Sequence, residues 1–276
     1  MVSILDGIIK EELYFSDGIW YSDSKIELSY PDDGYDICFQ VEDNSFWFNH
    51  RNKCIAEMIT HFSPDATIFD VGGGNGYVSL GLANAGFDVV LIEPSIKGAL
   101  NAKKRGLKKI ICSTLENSIQ SVKQIPSIGL FDVLEHIEDD NKFLRDIKSF
   151  LTDDGMLYIS VPAYNALWSL EDIDAGHFRR YTLENLISKL TKAGFNVEYA
   201  TYIFAILPVP IFLFRKIPSS LGIKHARKSA GKDHSYNSNS NVSKLLDKLW
   251  TWELKNIKQR KRIPIGGSCL IAARVK

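Results

Sequence analysis

Three alternate glycines, Gly72, Gly74 and Gly76, stand in the run Asp70-Val71-Gly72-Gly73-Gly74-Asn75-Gly76, between the apolar stretch ATIFDV and the helix-like YVSLGLANAG. Glycine lets a chain turn sharply and lets a ligand approach the backbone where a Cβ would clash. Glu93 and Pro94 close the next apolar stretch, about 20 residues on, where a carboxylate can accept the hydroxyl hydrogens of a ribose. Asp70 can hold the turn or meet a cationic group of the ligand. Together these residues predict a nucleoside-containing ligand at the carboxyl edge of a parallel sheet.

The glycine register narrows the ligand. A dinucleotide fingerprint started from Gly72 needs a small residue where Tyr77 stands, and one started from Gly73 puts Asn75 on its second glycine. Pyrophosphate binding is disfavoured, and no G-x-x-x-x-G-K-[ST] phosphate loop occurs.

The elements that must carry these groups follow from periodicity. From about residue 64, short apolar runs alternate with amphipathic stretches, which reads as repeated strand-helix units over a parallel sheet. Phe143, Leu144, Ile147 and Leu151 recur at helical spacing, and Asp154-Gly155 supplies the predicted turn into the strand GMLYISVP. Upstream, a helix is predicted from Ser45 to Phe62, with its apolar stripe through Ile55, Met58, Ile59 and Phe62. Extending that stripe back one turn reaches Arg51, and an inward-facing arginine needs an anionic partner. The partner is either a ligand carboxylate or the acidic N-terminal segment.

Asp132, Glu135 and His136 follow the predicted strand SIGLFDVL, where residues at a sheet edge point into a ligand crevice. Asp132 can line that crevice, whereas Glu135 and His136 either reach it or cap the helix beginning near Asp139 or Asp140. His177 lies in the loop from Glu171 to Tyr181. A histidine there can take a proton from an acceptor hydroxyl, or can simply order Arg179, Arg180 and Tyr181.

An acidic residue followed by G-x-G-x-G, here Asp70 with Gly72, Gly74 and Gly76, resembles the first motif of class I S-adenosylmethionine-dependent methyltransferases. Glu93, the run Phe131 to His136, and Asp154-Gly155 before Tyr158 to Pro162 match further motifs in the family's order. The resemblance covers roughly residues 45 to 200 and the terminal strand. VLEHI, SVPAYN and GHFRRYT are similar to a bacterial subgroup that includes ubiquinone-type O-methyltransferases and enzymes of cell-envelope glycan and lipid pathways. The resemblance implies an α/β, Rossmann-like, seven-stranded and mostly parallel sheet with helices on both faces and an antiparallel last strand, residues 267 to 275. It also implies S-adenosylmethionine as cofactor, S-adenosylhomocysteine as product, and methyl transfer to a hydroxyl of a small or lipid-linked acceptor. Its expected cofactor contacts are Arg51, Asp70, Gly72, Gly74, Asn75, Gly76, Glu93, Pro94, Thr114, Leu115 and Asp132, with His177 and His136 as candidate catalytic groups and no metal. One departure is Cys112-Ser113-Thr114-Leu115, where many members carry Gly-Asp-Ala; the usual carboxylate for the adenine amino group is absent, leaving backbone groups or Thr114. A nucleoside-binding or regulatory protein without transfer, and a nicotinamide-dependent oxidoreductase, are the competing readings.

Composition bounds the rest. The 276 residues are 45% apolar and carry 33 basic and 33 acidic side chains, so collagen-like and disordered chains are excluded and no nucleic-acid partner is expected. Four scattered cysteines without a C-x-x-C pair, and a start lacking the flanks of a signal peptide, predict free thiols in the cytoplasm. The balanced total hides a polarised chain, with twelve acidic and four basic residues over 1–60 against three acidic and thirteen basic over 215–262. Mutual packing of the two ends is the plainer expectation, and contact with an acidic partner or membrane surface the other. The apolar run Tyr202 to Phe214, too short to span a bilayer, suits an apolar flap or dimer contact, because its prolines argue against an interfacial helix. With the basic stretch after it, the run also suits an amphiphilic acceptor or peripheral contact at the inner membrane face. The chain is read as one methyltransferase domain, with an N-terminal cap and helix (1–62), a cofactor-binding core (63–200), an apolar and basic insertion (201–262) and a final strand (263–276). Within the insertion, the polar stretch SAGKDHSYNSNSNVS is expected to be mobile.

Overall fold

The computed structural model describes residues 7–23, 30–62, 65–120, 124–220 and 241–276. Most of the stretch expected to be mobile lies outside them.

Five strands form the parallel centre of the sheet: β3 (Ile68–Val71), β4 (Val89–Ile92), β5 (Ile110–Cys112), β6 (Ile125–Phe131) and β7 (Leu151–Pro162). Strand β9 (Ser268–Val275) inserts antiparallel between β7 and β8 (Phe195–Ile203). Two short strands, β1 (Tyr14–Ser16) and β2 (Ile19–Tyr21), add to the free edge of β5, so the described sheet has nine strands in the order β1-β2-β5-β4-β3-β6-β7-β9-β8. The expected count of seven omitted this hairpin. Its turn, Asp17-Gly18, has positive φ at both residues, the twist that suits a two-residue hairpin loop.

Helices cover both faces, as expected. In chain order they are α1 (Asp32–Val41), α2 (Phe46–Thr60), α3 (Tyr77–Asn84), α4 (Ile96–Lys104), α5 (Leu115–Ser118), α6 (Asp140–Phe150), α7 (Leu170–Asp174), α8 (Leu183–Ala193), α9 (Pro208–Ile211), α10 (Ile217–Ser220) and α11 (Asn241–Lys258). Alternation along β7 sorts its side chains between two cores. Met156 and Tyr158 pack with Ile55, Met58, Leu82, Trp250 and Ile257 of α2, α3 and α11, while Leu157, Ile159 and Val161 pack with Leu144 of α6 and Leu186 of α8. Asp154-Gly155 is not the start of β7. The strand begins at Leu151, and the register slips between Ile125↔Leu151 and Ser127↔Met156, so the pair lies in an irregular stretch within it.

The prolines of the apolar run do not prevent a helix. The chain is helical from Pro208 to Ser220 through α9, a π-turn at Phe212–Lys216 and α10. Pro208 and Pro210 sit in the first turn, where backbone N–H groups have no intrahelical acceptor to lose. The wider π-turn lies directly before Pro218, whose ring conflicts with ordinary α-helical bonding. Among the described residues, no ion pair joins an acidic side chain of 1–60 to a basic side chain of 215–262. The acidic N-terminal segment pairs instead with α4 and its cap, through Lys97–Asp36, Lys103–Asp17 and Arg105–Glu42.

Glu253 of α11 fastens the C-terminal helix to the sheet. Its carboxylate lies 2.8 Å from His50 Nε2 of α2 and accepts the N–H groups of Phe204 and Ala205 at 2.9 and 2.6 Å. Trp250 stacks on the His50 ring with centroids 4.4 Å apart.

Candidate active site

Strand order reverses about β3 and β6, with β4 and β5 on one side and β7 on the other. Crevices form at such switch points, outside the carboxyl ends of the strands. A cleft of about 1180 Å³ opens here, lined by the glycine loop after β3, Glu93 after β4 and Asp132 after β6. Single-ligand pockets hold about 300–1,000 Å³, so this one has room for a nucleoside and a second molecule.

The glycines serve different ends. Gly72, Gly74 and Gly76 all have positive φ, at 72°, 57° and 72°. A Cβ on Gly74 would meet nothing within 4 Å, because that side of the residue is open. A Cβ on Gly76 would lie 2.7 Å from the Ala102 Cβ, so this glycine lets the loop pack on α4 and does not line the cleft. Asn75 lines it and also ties the loop to α1, donating to the Tyr35 carbonyl at 2.9 Å while accepting from Asn101 at 3.0 Å.

Glu93 is 2% exposed, yet three donors converge on its carboxylate: the Gly74 N–H (2.7 Å), the Ser95 N–H (2.8 Å) and the Tyr35 hydroxyl (3.0 Å). Burial outweighs them and pushes its pKa up to about 7. Asp70 lies beneath the loop, outside the cleft lining, where it accepts the Ser79 hydroxyl at 2.6 Å. Burial raises it to about 6, and its Oδ1 has no partner among the described residues. Holding the turn is therefore its visible role.

Arg51 does face inward, as the helical stripe requires; its direct ion pair is with Asp132, and Glu42 of the acidic N-terminal segment also acts on its charge. The guanidinium lies over the rings of Trp47 and Phe48, 4.7 and 5.1 Å from their centroids, leaving Nε without an acceptor among the described residues. Asp132 has a φ of 58° and accepts the Ser160 hydroxyl at 3.0 Å, so a strained backbone and a fixed carboxylate stand at the end of β6.

Thr114 and Leu115 are not brought to the cleft. The Thr114 hydroxyl caps α5 by accepting the Asn117 N–H at 3.3 Å, and Leu115 packs in the core. Pro94 does line it.

Of the two roles open to Glu135 and His136, capping the helix falls to Asp139 instead, which accepts the Lys142 N–H at 2.9 Å. Glu135 lines the cleft at 1% exposure with Oε2 unpartnered among the described residues, and burial raises it to about 8. The His136 ring meets that of His177 edge to face at 4.7 Å, and burial together with His177 lowers its pKa to about 4. His177 Nδ1 lies 2.9 Å from Asp172, which also receives Arg180 Nε at 2.7 Å. Burial opposes ionisation of Asp172, but the bonds from His177 and Arg180 prevail and hold it at about 2.

No spacing in the chain suggested a metal site, yet the fold brings ligand atoms of Glu135, His136 and His177 within 4.8 Å of one another, and likewise those of His50, Cys54 and Glu253. All four cysteines are free thiols, as expected. Sequence reasoning missed Asp172, Tyr35 and Glu253. Only Asp172 carried a signal, the Ser169-x-x-Asp172 capping box that fixes it.

Residues 47–200, more than half of the chain, match a family described as a methyltransferase domain. The chain belongs to the class I S-adenosylmethionine-dependent methyltransferases. A ubiquinone biosynthesis O-methyltransferase of Rickettsia felis is 33% identical over 118 residues, 40% of this chain and 48% of that protein. The chain thus spans about half the length of such curated relatives. Among solved structures, Haemonchus contortus phosphoethanolamine N-methyltransferase 2 with S-adenosyl-L-methionine gives a TM-score of 0.56 at 17% identity, covering 93% of this chain and 61% of that one. The [4+2]-cyclase SpnF gives 0.51 at 15% identity, covering 92% and 89%. These structural likenesses establish the fold. The methyltransferase's cofactor is S-adenosylmethionine, and the cleft lining fits it: an open backbone cradle at Gly74, the buried carboxylate of Glu93 after β4, and the oppositely charged pair of Arg51 and Asp132.

Proposed function

We propose that residues 1–276 act as one methyltransferase unit that transfers a methyl group to a hydroxyl of a small or lipid-linked acceptor. The observation that carries this reading is the cleft itself, whose lining includes both the glycine loop with Glu93 and a histidine, His177, oriented by Asp172. Gly72 and Gly74 bring the backbone close to the ligand, and Glu93 accepts the ribose hydroxyls. Arg51 and Asp132 are matched to the carboxylate and ammonium of an amino-acid tail, each exchanging part of its present partner for the ligand. The adenine ring has Pro94 and backbone groups, without a dedicated side-chain carboxylate.

S-adenosylmethionine supplies an electrophilic methyl group, so the protein's work is to align the acceptor, exclude water and accept one proton. Asp172 holds His177 by Nδ1, which leaves Nε2 to take the proton of the acceptor hydroxyl as its oxygen gains the methyl. Glu135, raised by burial, is protonated at neutral pH and can donate a hydrogen bond to the acceptor. The hydroxyl specificity rests on this constellation and on the likeness to the ubiquinone O-methyltransferase.

Fold alone does not decide transfer, since a cyclase shares it. The test is a methyl-transfer assay with labelled donor over phenolic and lipid-linked hydroxyl acceptors, alongside thermal shifts with S-adenosylhomocysteine and with NAD. Stabilisation by S-adenosylhomocysteine alone, with turnover on a hydroxyl acceptor, is expected. His177→Ala should lower that turnover about 100-fold or more and leave S-adenosylhomocysteine affinity unchanged. Full turnover in the variant removes His177 as the base.

A further inference from the structure

The outer wall of the cleft is a helix that is apolar on more than one side. Leu207, Pro210, Ile211 and Phe214 line the cleft, whereas Val209, Phe212, Leu213 and Ile217 do not and are exposed at 65%, 45%, 48% and 39%. Phe214, which borders the cleft, is itself 69% exposed. A helix apolar around its circumference is ordinarily buried, and here part of it meets solvent. From Pro208 to Ser220 it extends roughly 20 Å at 1.5 Å per residue, short of the roughly 30 Å a bilayer core demands, so it can lie on a membrane but not cross one. No helix among the described residues is long and apolar enough to cross a membrane.

Charge indicates what the exposed face meets. The segment 215–262 carries thirteen basic and three acidic residues. Arg215 pairs with Glu171 and Arg262 with Glu184, while Lys216, Lys248, Lys255, Lys258 and Lys261 have no carboxylate partner among the described residues. Glu253 anchors α11, which carries Lys248, Lys255 and Lys258, at Phe204 and Ala205, the root of the apolar helix. Apolar side chains beside unneutralised cations are the two components of attachment to an anionic lipid surface.

We propose that the helix Pro208–Ser220 docks the protein on an anionic phospholipid bilayer, with Val209, Phe212, Leu213 and Ile217 entering the acyl boundary and Lys216, Lys248, Lys255, Lys258 and Lys261 meeting the headgroups. Phe214 then stands between bilayer and cleft, an entry for a lipid-linked acceptor; this last step rests on the methyl-transfer reading, whereas docking does not.

The test is co-sedimentation of the full chain with vesicles of mixed phosphatidylcholine and phosphatidylglycerol, and of phosphatidylcholine alone, with S-adenosylhomocysteine affinity measured in parallel. Binding to the mixed vesicles is expected, about tenfold or more stronger than to phosphatidylcholine and weakened by salt. The triple substitution Val209→Ser, Phe212→Ser, Leu213→Ser should weaken it about tenfold or more with S-adenosylhomocysteine affinity retained. Lys216→Glu, which leaves the apolar face intact, should weaken binding to the mixed vesicles by about fivefold. No binding of the unaltered chain, or unchanged binding in both variants, overturns docking. So does a triple variant that turns a dimer into a monomer while vesicle binding persists, which would assign the face to a second copy. Failure to bind S-adenosylhomocysteine would sink the methyl-transfer reading and leave docking standing.

Discussion

Adjacent glycines of the loop separate cofactor binding from folding. Gly74 has a φ of 57°, and a methyl group added there would meet nothing within 4 Å, so Gly74→Ala incurs the left-handed penalty but no clash. That penalty is about 1–2 kcal/mol, partly offset by the stiffer unfolded chain, for a net of about 1 kcal/mol and a Tm lower by about 2–4 °C. At Gly73 the same methyl would overlap Leu91 Cδ1 and lie 2.6 Å from Asp70 Oδ2, and both of those residues are fully buried. Gly73→Ala must overpack a closed space, at about 1–3 kcal/mol or more, with a correspondingly larger loss of Tm. Binding should order the two the other way if the open side of Gly74 is where the nucleoside lies. Titration calorimetry with S-adenosylhomocysteine should show at least a tenfold loss of affinity in Gly74→Ala, about 1.4 kcal/mol, at a temperature where that variant is fully folded. An unchanged dissociation constant would mean that no ligand passes over the loop, and the assignment of the cleft would fall with it.

Two further outcomes follow from buried carboxylates. Burial holds Glu93 at about 7, and ribose hydroxyls favour its ionised form, so ligand binding lowers that pKa and releases a proton; affinity for S-adenosylhomocysteine should rise with pH up to about 7, level off above, and lose this dependence in Glu93→Gln, whereas an affinity falling over that range would exclude the ribose role. Glu253→Ala leaves His50 and two backbone N–H groups without their acceptor, at about 3 kcal/mol or more and a Tm lower by about 6–12 °C; a change below about 2 °C in a melting curve would show that the latch contributes nothing.

The strand-helix alternation, the loop and the inward direction of Arg51 were legible because each depends on local spacing: period two for strands, 3.6 for helices, and glycine where φ turns positive. The N-terminal hairpin was legible in principle, since Asp17-Gly18 between YFS and IWY is a two-residue turn signal, but strands of three residues carry little pattern. Long-range pairings were not legible. Nothing near Arg51 names Asp132 as its partner, 81 residues on, nor does anything near His50 name Glu253, 203 residues on. Thr114 misled for a related reason: a hydroxyl after a strand serves a cofactor or a helix N-terminus equally well, and only the geometry of α5 assigned it to the cap.

Asp70, Glu93 and Glu135 share one physical condition, in that burial raises all three, to about 6, 7 and 8. A carboxyl whose folded pKa exceeds its unfolded value contributes stability that is complete below about pH 4 and is lost as pH rises through the folded value. Without ligand, these three carboxyls should therefore withdraw stability between about pH 4 and 8, while His136, which burial lowers to about 4, adds stability as pH rises from there to the ordinary histidine value of about 6.5. A loop with a purely structural task gains nothing from such groups. Two of them, Glu93 and Glu135, line the cleft, where incoming hydroxyls can satisfy the one as acceptor and the other as donor. The instability of the empty site and its capacity for ligand thus have a common origin, and saturating S-adenosylhomocysteine should flatten the alkaline side of the stability profile through Glu93 while leaving the share of Asp70, sealed beneath the loop, in place.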